Sequence, residues 1–352
     1  MKKIRVLVVD DSLTVRKRLV EALESDPAIQ VIAEAEDGKR AIELCRTLRP
    51  DAMTLDMMMP ELTGVAVTEY VMAYCPTPIL IVSASVNRGE LFKTYEALAA
   101  GALDVLEKPL SHQEGEDWNQ KLRSTVKLIS RIKVITHPRA RLSRSAGPVS
   151  VGATATPGYD VIAMGASTGG PGAVLGILRS LPAPFPVPIL LVIHIAEPFA
   201  MALAEWLDGQ SPLRVRYVIE GEPLPRFGTG GVLMAPAGSH LVANQGKLHL
   251  TKDPERHACR PSVDVLFESV AREYGARAIA CLLTGMGKDG AAGMLAAHHA
   301  GAFTIAQDQA TSVVFGMPAE AIRLGAADRI LPLEQIAPTL LETAQPALRR
   351  GV

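Results

Sequence analysis

The sequence predicts an α/β chain of two domains: a five-stranded, parallel, doubly wound sheet, then a larger α/β domain with a mostly parallel sheet. Three observations predict it. Apolar runs of strand length alternate with helical spacing through five rounds before residue 130. A stretch rich in Pro, Gly, Ser, Ala and Thr then breaks the pattern over 138–158. A second strand and helix series opens at a glycine-rich turn around Ser167. The 352 residues suffice for two cores, and 48% apolar with 21% charged residues is an ordinary globular composition.

The first domain is expected over 1–120, with strands near 5–9, 30–33, 52–55, 78–82 and 103–106 and helices from Ser12 and Asp37. Ligands of such sheets collect at the carboxyl ends of the strands. The reactive side chains stand there: Asp10 and Asp11 end the first strand, Asp56 the third, Ser83 the fourth, and Lys108 follows the fifth. Three carboxylates on one rim repel one another unless a divalent cation joins them, and all-oxygen ligands suit Mg2+. One carboxylate can then attack phosphorus while a hydroxyl and an ammonium group neutralise the incoming oxygens. Singly, each acid also reads as a helix cap or a solvated strand end; five such groups at successive strand ends favour the phosphoryl site.

With these residues the domain resembles the response-regulator receiver family. The resemblance implies Asp56 as phosphoacceptor, Asp10 and Asp11 as Mg2+ ligands with the Met58 carbonyl, Ser83 as switch hydroxyl and Lys108 as the phosphate-contacting lysine. Two departures stand out: Val105 where an aromatic residue is usual, and Thr63 where an Asp usually precedes Gly64.

A linker is expected over 121–157. From Trp118 to Tyr159 there is no acidic residue, while Lys121, Arg123, Lys127, Arg131, Lys133, Arg139, Arg141 and Arg144 are basic. Residues 122–132 can extend the last helix of the first domain, and 138–158 reads as a flexible tether. No aromatic residue is interleaved and no reading helix follows, so the stretch connects rather than binds nucleic acid.

The second domain is expected over 158–350. Residues 161–164 read as a buried strand and Pro171 onward, with Val174, Leu175 and Leu178, as a helix. Gly165, Ser167 and Gly169 fit a nucleophile elbow, in which small neighbours lift a hydroxyl above the sheet edge; a phosphate-cradling turn is the alternative. The next strand, 187–195, carries His194 near its carboxyl end, and a third, 278–283, leads to Asp289 at a helix start. A core histidine and an N-cap are the plainer readings of these two. Together Ser167, His194 and Asp289 supply nucleophile, base and orienting carboxylate. Their chain order differs from that of α/β-hydrolases, and no Walker lysine follows the glycines.

The domain resembles the CheB family of chemotaxis protein-glutamate methylesterases. The resemblance rests on Gly165-Ala-Ser-Thr-Gly-Gly170, on the segment from Arg260 to Phe267, on Leu283-Thr-Gly-Met-Gly-Lys-Asp-Gly-Ala-Ala-Gly293, and on the segment from Ser312 to Ile322. It implies the same triad, backbone N–H groups near Met286 as oxyanion donors, and Thr168 and Gly285 in the active site. Arg260, Ser262, Asp264 and His240 are similar to positions that line or support the cleft, with an Arg260–Asp264 structural pair as the plainer alternative. Ile193, Ile195 and Ala196 depart from the family's usual Gln before, and Met-Pro after, the histidine.

The implied activity is demethylation of methylglutamate, and deamidation of glutamine, on the cytoplasmic helices of methyl-accepting chemoreceptors. The receiver, when unphosphorylated, is implied to cover the cleft, with a CheA-type histidine kinase as phosphodonor and no cofactor in the esterase domain. A formal net charge of -1 gives no pull toward nucleic acid or anionic lipid. No apolar run reaches membrane-spanning length, and the first one, 6–9, ends at Asp10, unlike a signal peptide. Cys45, Cys75, Cys259 and Cys281 show no close pairing and read as free core thiols. A cytoplasmic protein is expected. A receiver-controlled module that binds nucleic acid or a nucleotide, and an esterase of a non-chemotaxis pathway, are the alternatives.

Overall fold

The computed structural model describes residues 3–84, 87–108, 115–132, 134, 158–226, 228 and 230–344. The chain divides into two compact units, 1–144 and 145–352. The tether expected over 138–158, and with it Lys133, Arg139, Arg141 and Arg144, lies outside the described residues except for Gly158.

In the first unit β1 (Ile4–Val9), β2 (Ile29–Ala35), β3 (Ala52–Leu55), β4 (Ile79–Ser83) and β5 (Asp104–Glu107) alternate with α1 (Leu13–Glu24), α2 (Gly38–Leu48), α3 (Gly64–Tyr74), α4 (Arg88–Ala100) and α5 (Glu116–Ile129). The sheet order is β2-β1-β3-β4-β5 and every pair is parallel. Helices on both faces bury β3 and β4 throughout, which is why those strands read as unbroken apolar runs. Ser12 and Asp37 cap α1 and α2 by accepting the N–H groups of Val15 and Arg40. β2 outruns its expected 30–33 because its pairing with β1 continues to Ala35 through the exposed Glu34.

Helix α5 buries Leu122, Val126 and Ile129 at helical spacing. Two of the basic residues expected in the linker serve this unit: Arg123 donates to Ala22 O and Ser25 Oγ, and Lys127 pairs with Asp26.

In the second unit the major sheet runs β14-β13-β12-β6-β7-β9-β8, all parallel. Its strands are β6 (Val161–Ala166), β7 (Ile189–Ile193), β8 (Val215–Tyr217), β9 (Val232–Met234), β12 (Ala278–Leu282), β13 (Phe303–Gln307) and β14 (Arg329–Leu331). A separate antiparallel hairpin joins β10 (His240–Asn244) to β11 (Lys247–Thr251). Helices α6 (Gly170–Ser180), α7 (Glu197–Ala200), α8 (Leu203–Gln210), α9 (Val263–Tyr274), α10 (Ala291–His299), α11 (Met317–Arg323) and α12 (Leu333–Ala344) complete it.

β6 lies at the centre with β12 and β7 on either side, so the loops that follow these three strands open on one sheet edge. Helix α9 packs over that region because glycines let it approach. A Cβ on Gly165 would stand 2.2 Å from Val263 Cγ1, and one on Gly293 would stand 2.7 Å from Asp264 O. Val263 is β-branched and fully buried, so it cannot swing aside. Gly165→Ala is therefore expected to destabilise the second unit by about 1–3 kcal/mol. Urea unfolding of the full chain measures this, and Val263→Ala in the same chain should restore part of the loss. Simple additivity of the two losses would contradict the packing argument.

Candidate functional site

On the first sheet the acids meet as the spacing predicts. Asp10 and Asp56 are buried beside the ends of β1 and β3, while Asp11 is exposed. Their ligating oxygens lie within 4.8 Å of one another, a hard, all-oxygen donor set that fits Mg2+. Lys108 Nζ reaches both buried acids, 2.8 Å from Asp10 Oδ2 and 3.0 Å from Asp56 Oδ2. Burial pushes the Asp56 carboxyl up to about 6; Lys108 pulls against this and the Asp10 charge adds to it. The Met57 N–H donates to Asp56 Oδ1 at 2.7 Å. Ser83 Oγ donates to Glu90 Oε1 at 3.1 Å, so its hydroxyl is engaged with α4. Val105 is buried in β5, and Thr63 caps α3 by accepting the Ala66 N–H.

On the second sheet Ser167 is the first residue after β6, and His194 the first after the neighbouring β7. The ladder continues one step beyond the strands, with the His194 N–H donating to Ala166 O at 3.0 Å. Ser167 and His194 thus follow paired strand ends. The Ser167 N–H donates to Thr284 O, and Thr284 Oγ1 donates to Thr168 O at 3.0 Å. Thr284 is fully buried and its N–H is held by Gln307 Oε1 at 2.8 Å, so the serine turn is braced to the end of β12. Gly169 closes the turn at φ 78° beneath Val313, where a Cβ would lie 2.5 Å from Val313 Cβ.

His194 is not a core histidine. Its side chain keeps 15% exposure and its Nε2 lies 2.9 Å from Asp289 Oδ2. Nor does Asp289 cap its own helix, since Gly290 holds the N-cap position of α10. Its carboxylate sits instead at the start of α9, accepting from Ser262 Oγ at 2.7 Å, Val263 N–H at 2.7 Å and Asp264 N–H at 3.1 Å. Burial alone would raise the Asp289 carboxyl, but His194, Ser262 and the Val263 N–H hold it below its ordinary value.

With Nε2 committed to Asp289, the other ring nitrogen is the one left to exchange protons with Ser167. Among the described residues no hydrogen bond joins Ser167 Oγ to His194. Instead Cys259 Sγ stands 3.7 Å from His194 Nδ1. This corrects one expectation: Cys45, Cys75 and Cys281 are buried thiols, whereas Cys259 is half-buried and faces the imidazole. Nothing local in the sequence signals it, because the contact joins positions 65 residues apart.

Among the described residues the N–H groups of Thr168 and Met286 have no protein partner, which leaves them available to an anion. The Gly285 N–H is engaged with Val314 O; this glycine serves by lacking a side chain, since a Cβ there would lie 2.8 Å from Ser167 Cβ. Arg260 does not pair with Asp264. Its guanidinium donates to Asp253 O at 3.2 Å, while Asp264 contacts His257 and Arg256 and accepts the Gly293 N–H at 2.6 Å. His240 Nδ1 accepts the Ser262 N–H and its Nε2 donates to Pro254 O at 3.2 Å, which together fix the ring's orientation.

Fold and sites define the class: a receiver-type phosphoryl module followed by an α/β domain of serine-hydrolase type. The chain belongs to the CheB methylesterase family, whose model matches residues 162–340; residues 6–117 match the response regulator receiver domain. A relative from Nitrosospira multiformis named protein-glutamate methylesterase/protein-glutamine glutaminase is 46% identical over 96% of each chain. One from Anaeromyxobacter dehalogenans, of the same designation with the number 2, is 43% identical over 97% of each. The crystal structure of the Thermotoga maritima CheB methylesterase catalytic domain is 38% identical, with a TM-score of 0.50, over 53% of this chain and 99% of its own. Among the described residues no helix is long and apolar enough to cross a membrane.

Burial draws the His194 imidazole down, but hydrogen bonds to Asp289 and to the Cys259 sulfur outweigh it and bring the ring up to about 9. The ring is then protonated at neutral pH and becomes a base as pH rises through about 9. Nitrogen NMR of histidine-labelled protein should place the His194 midpoint near 9. In Cys259→Ala the midpoint should fall, because one raising partner is gone; an unmoved midpoint would show that the thiol has no hold on the ring.

Proposed function

We propose that this chain hydrolyses the methyl ester of glutamate side chains, and the amide of glutamine side chains, on the cytoplasmic helices of chemoreceptors, and that phosphorylation of Asp56 by a histidine kinase controls the rate. One observation carries the reading: the His194–Asp289 pair at 2.9 Å stands on the strand end next to the one that presents Ser167. The names of the relatives, and the receiver that precedes this domain, support the substrate and the control.

In the form whose ring is neutral, the form favoured as pH rises through about 9, Ser167 Oγ attacks the ester carbonyl carbon and His194 Nδ1 takes the serine proton, while Asp289 steadies the imidazolium through Nε2. The carbonyl oxygen becomes an anion facing the N–H groups of Thr168 and Met286. His194 returns the proton to the methoxy oxygen, the C–O bond breaks and methanol leaves a glutamyl-serine ester. Water, deprotonated at the same nitrogen, cleaves that ester and restores Ser167 with a free glutamate. A glutamine side chain follows the same path with ammonia as the leaving group. The Cys259 thiol must cede Nδ1 to Ser167 in each cycle.

In the receiver, Asp10, Asp11 and Asp56 are the residues that would hold Mg2+. When bound, the ion supplies positive charge that offsets the phosphoryl oxygens. Asp56 provides the attacking carboxylate oxygen, and Lys108, already on Asp10 and Asp56, provides the ammonium partner.

Methanol release from methylated receptor membranes tests the esterase: Ser167→Ala should lower it by about 10⁴-fold or more. A Ser167→Ala chain that keeps the wild-type rate would remove the serine from the chemistry. For the control, Asp56→Asn should lose the rate increase that a small phosphodonor gives the wild type. Equal stimulation of the two chains would take Asp56 out of its role.

A further inference from the structure

We infer that His194 and Cys259 form a binding site for a soft divalent cation, Zn2+ above all, and that the ion silences the esterase by occupying the nitrogen that serves Ser167. The ligand atoms of His194, Cys259 and Asp289 lie within 4.8 Å of one another. They come from three chain segments: the end of β7, the loop before α9 and the loop before α10.

The geometry fits zinc closely. Tetrahedral zinc holds sulfur at about 2.3 Å and imidazole nitrogen at about 2.0–2.1 Å, which sets those two ligands about 3.5 Å apart. Cys259 Sγ and His194 Nδ1 are 3.7 Å apart, within hydrogen-bond reach for sulfur and also close to that tetrahedral edge. The far side of the ring is equally suited. A zinc-bound histidine commonly donates its other N–H to a carboxylate, which fixes the ring and strengthens its donor nitrogen. Asp289 Oδ2 stands in that place at 2.9 Å from Nε2, itself anchored by Ser262 Oγ and the N–H groups of α9.

One thiolate and one imidazole leave two positions of a four-coordinate ion to water. Such a site is open and readily reversed. Binding takes the Nδ1 lone pair, so the ion displaces the proton that Nδ1 carries below about pH 9 together with the Cys259 thiol proton, and both leave to solvent. Thiolate with imidazole prefers zinc to magnesium, whereas the three carboxylates of the first sheet have the opposite preference. The two sheets of this chain thus sort divalent cations by ligand softness.

The inhibitory half of the inference rests on the esterase reading; the binding half does not. The test uses the full chain, reduced, with excess Mg2+ to saturate the receiver, and Co2+ as a coloured stand-in for zinc. Titration should give a thiolate-to-cobalt charge-transfer band, since the other three cysteines are buried. The band should be lost in Cys259→Ser and kept in Ser167→Ala. On the unsubstituted chain, saturating Zn2+ should slow alkylation of Cys259 by iodoacetamide at least tenfold, read by mass spectrometry of its peptide. No band in the wild type, a band that persists in Cys259→Ser, or unprotected alkylation overturns the site.

Zn2+ should also inhibit methanol release, with recovery on adding EDTA. In Cys259→Ser the half-inhibiting concentration should rise at least tenfold, each chain being compared with its own zinc-free rate. A chain without Ser167-dependent hydrolysis that still shows the band and the protection would support the site while sinking the esterase reading. Full activity with zinc bound would overturn the inhibition.

Discussion

Asp289 carries its charge at 2% exposure, and an unpaired carboxylate at that depth costs on the order of several kcal/mol. Donors from two other segments remove the cost: the imidazole at the end of β7, and the Ser262 hydroxyl with two N–H groups at the start of α9. Satisfying this one anion therefore ties the β12–α10 loop to β7 and to α9. It also decides which nitrogen of His194 faces the serine, because the ring cannot turn without exposing the carboxylate to an unmet demand. The exposed face of the site, Cys259 included, is read from that orientation.

The same constraint explains the glycines around it. For the N-terminus of α9 to reach Asp289, the helix must lie almost on the backbone of β6 and α10, and Gly165, Gly290 and Gly293 are the positions where a side chain would strike Val263 or Asp264. Ser167 is held from the opposite side. Thr284 grips both the Ser167 N–H and Thr168 O, and Gln307 grips Thr284. The serine turn thus hangs between a polar brace and a close-packed helix, and neither depends on surface charge.

Elements with strong periodic patterns were legible in the sequence, and so were the residues at their ends. The inner strands β3 and β4 of the first sheet are buried throughout and β1 over its last four residues, and Asp10, Asp56, Ser83 and Lys108 follow or close the strands at the positions expected. The Ser167 elbow and the strands before His194 and Asp289 were legible for the same reason. What escaped is short or non-local. β8, β9 and β14 have three residues each, too few to display a period. Asp289 at the start of a helix before its own, Thr284 beneath the serine, and Cys259 against His194 arise only once distant segments meet. Arg260 and Asp264, four positions apart on adjoining elements, suggested a pair; α9 turns Asp264 toward His257 and Arg256 instead.

The two buried aspartates also show why one suits a reactive part and the other an orienting part. Asp56 accepts backbone N–H groups of the loop it heads, that of Met57 on Oδ1 at 2.7 Å and that of Met58, and on Oδ2 an ammonium group at the end of a flexible chain that retains 17% exposure. Its lone pairs are underused, burial favours its neutral form, and a new electrophile or cation at that oxygen would relieve the strain on the charge. Asp289 is saturated: two backbone donors, a hydroxyl and an imidazole fill both oxygens, and two of those donors belong to a helix that cannot move away. A carboxylate in that state has nothing left with which to bond a substrate, but it holds a ring in place with little freedom. Saturation of the lone pairs, more than depth or charge, separates the oxygen built to react from the oxygen built to position.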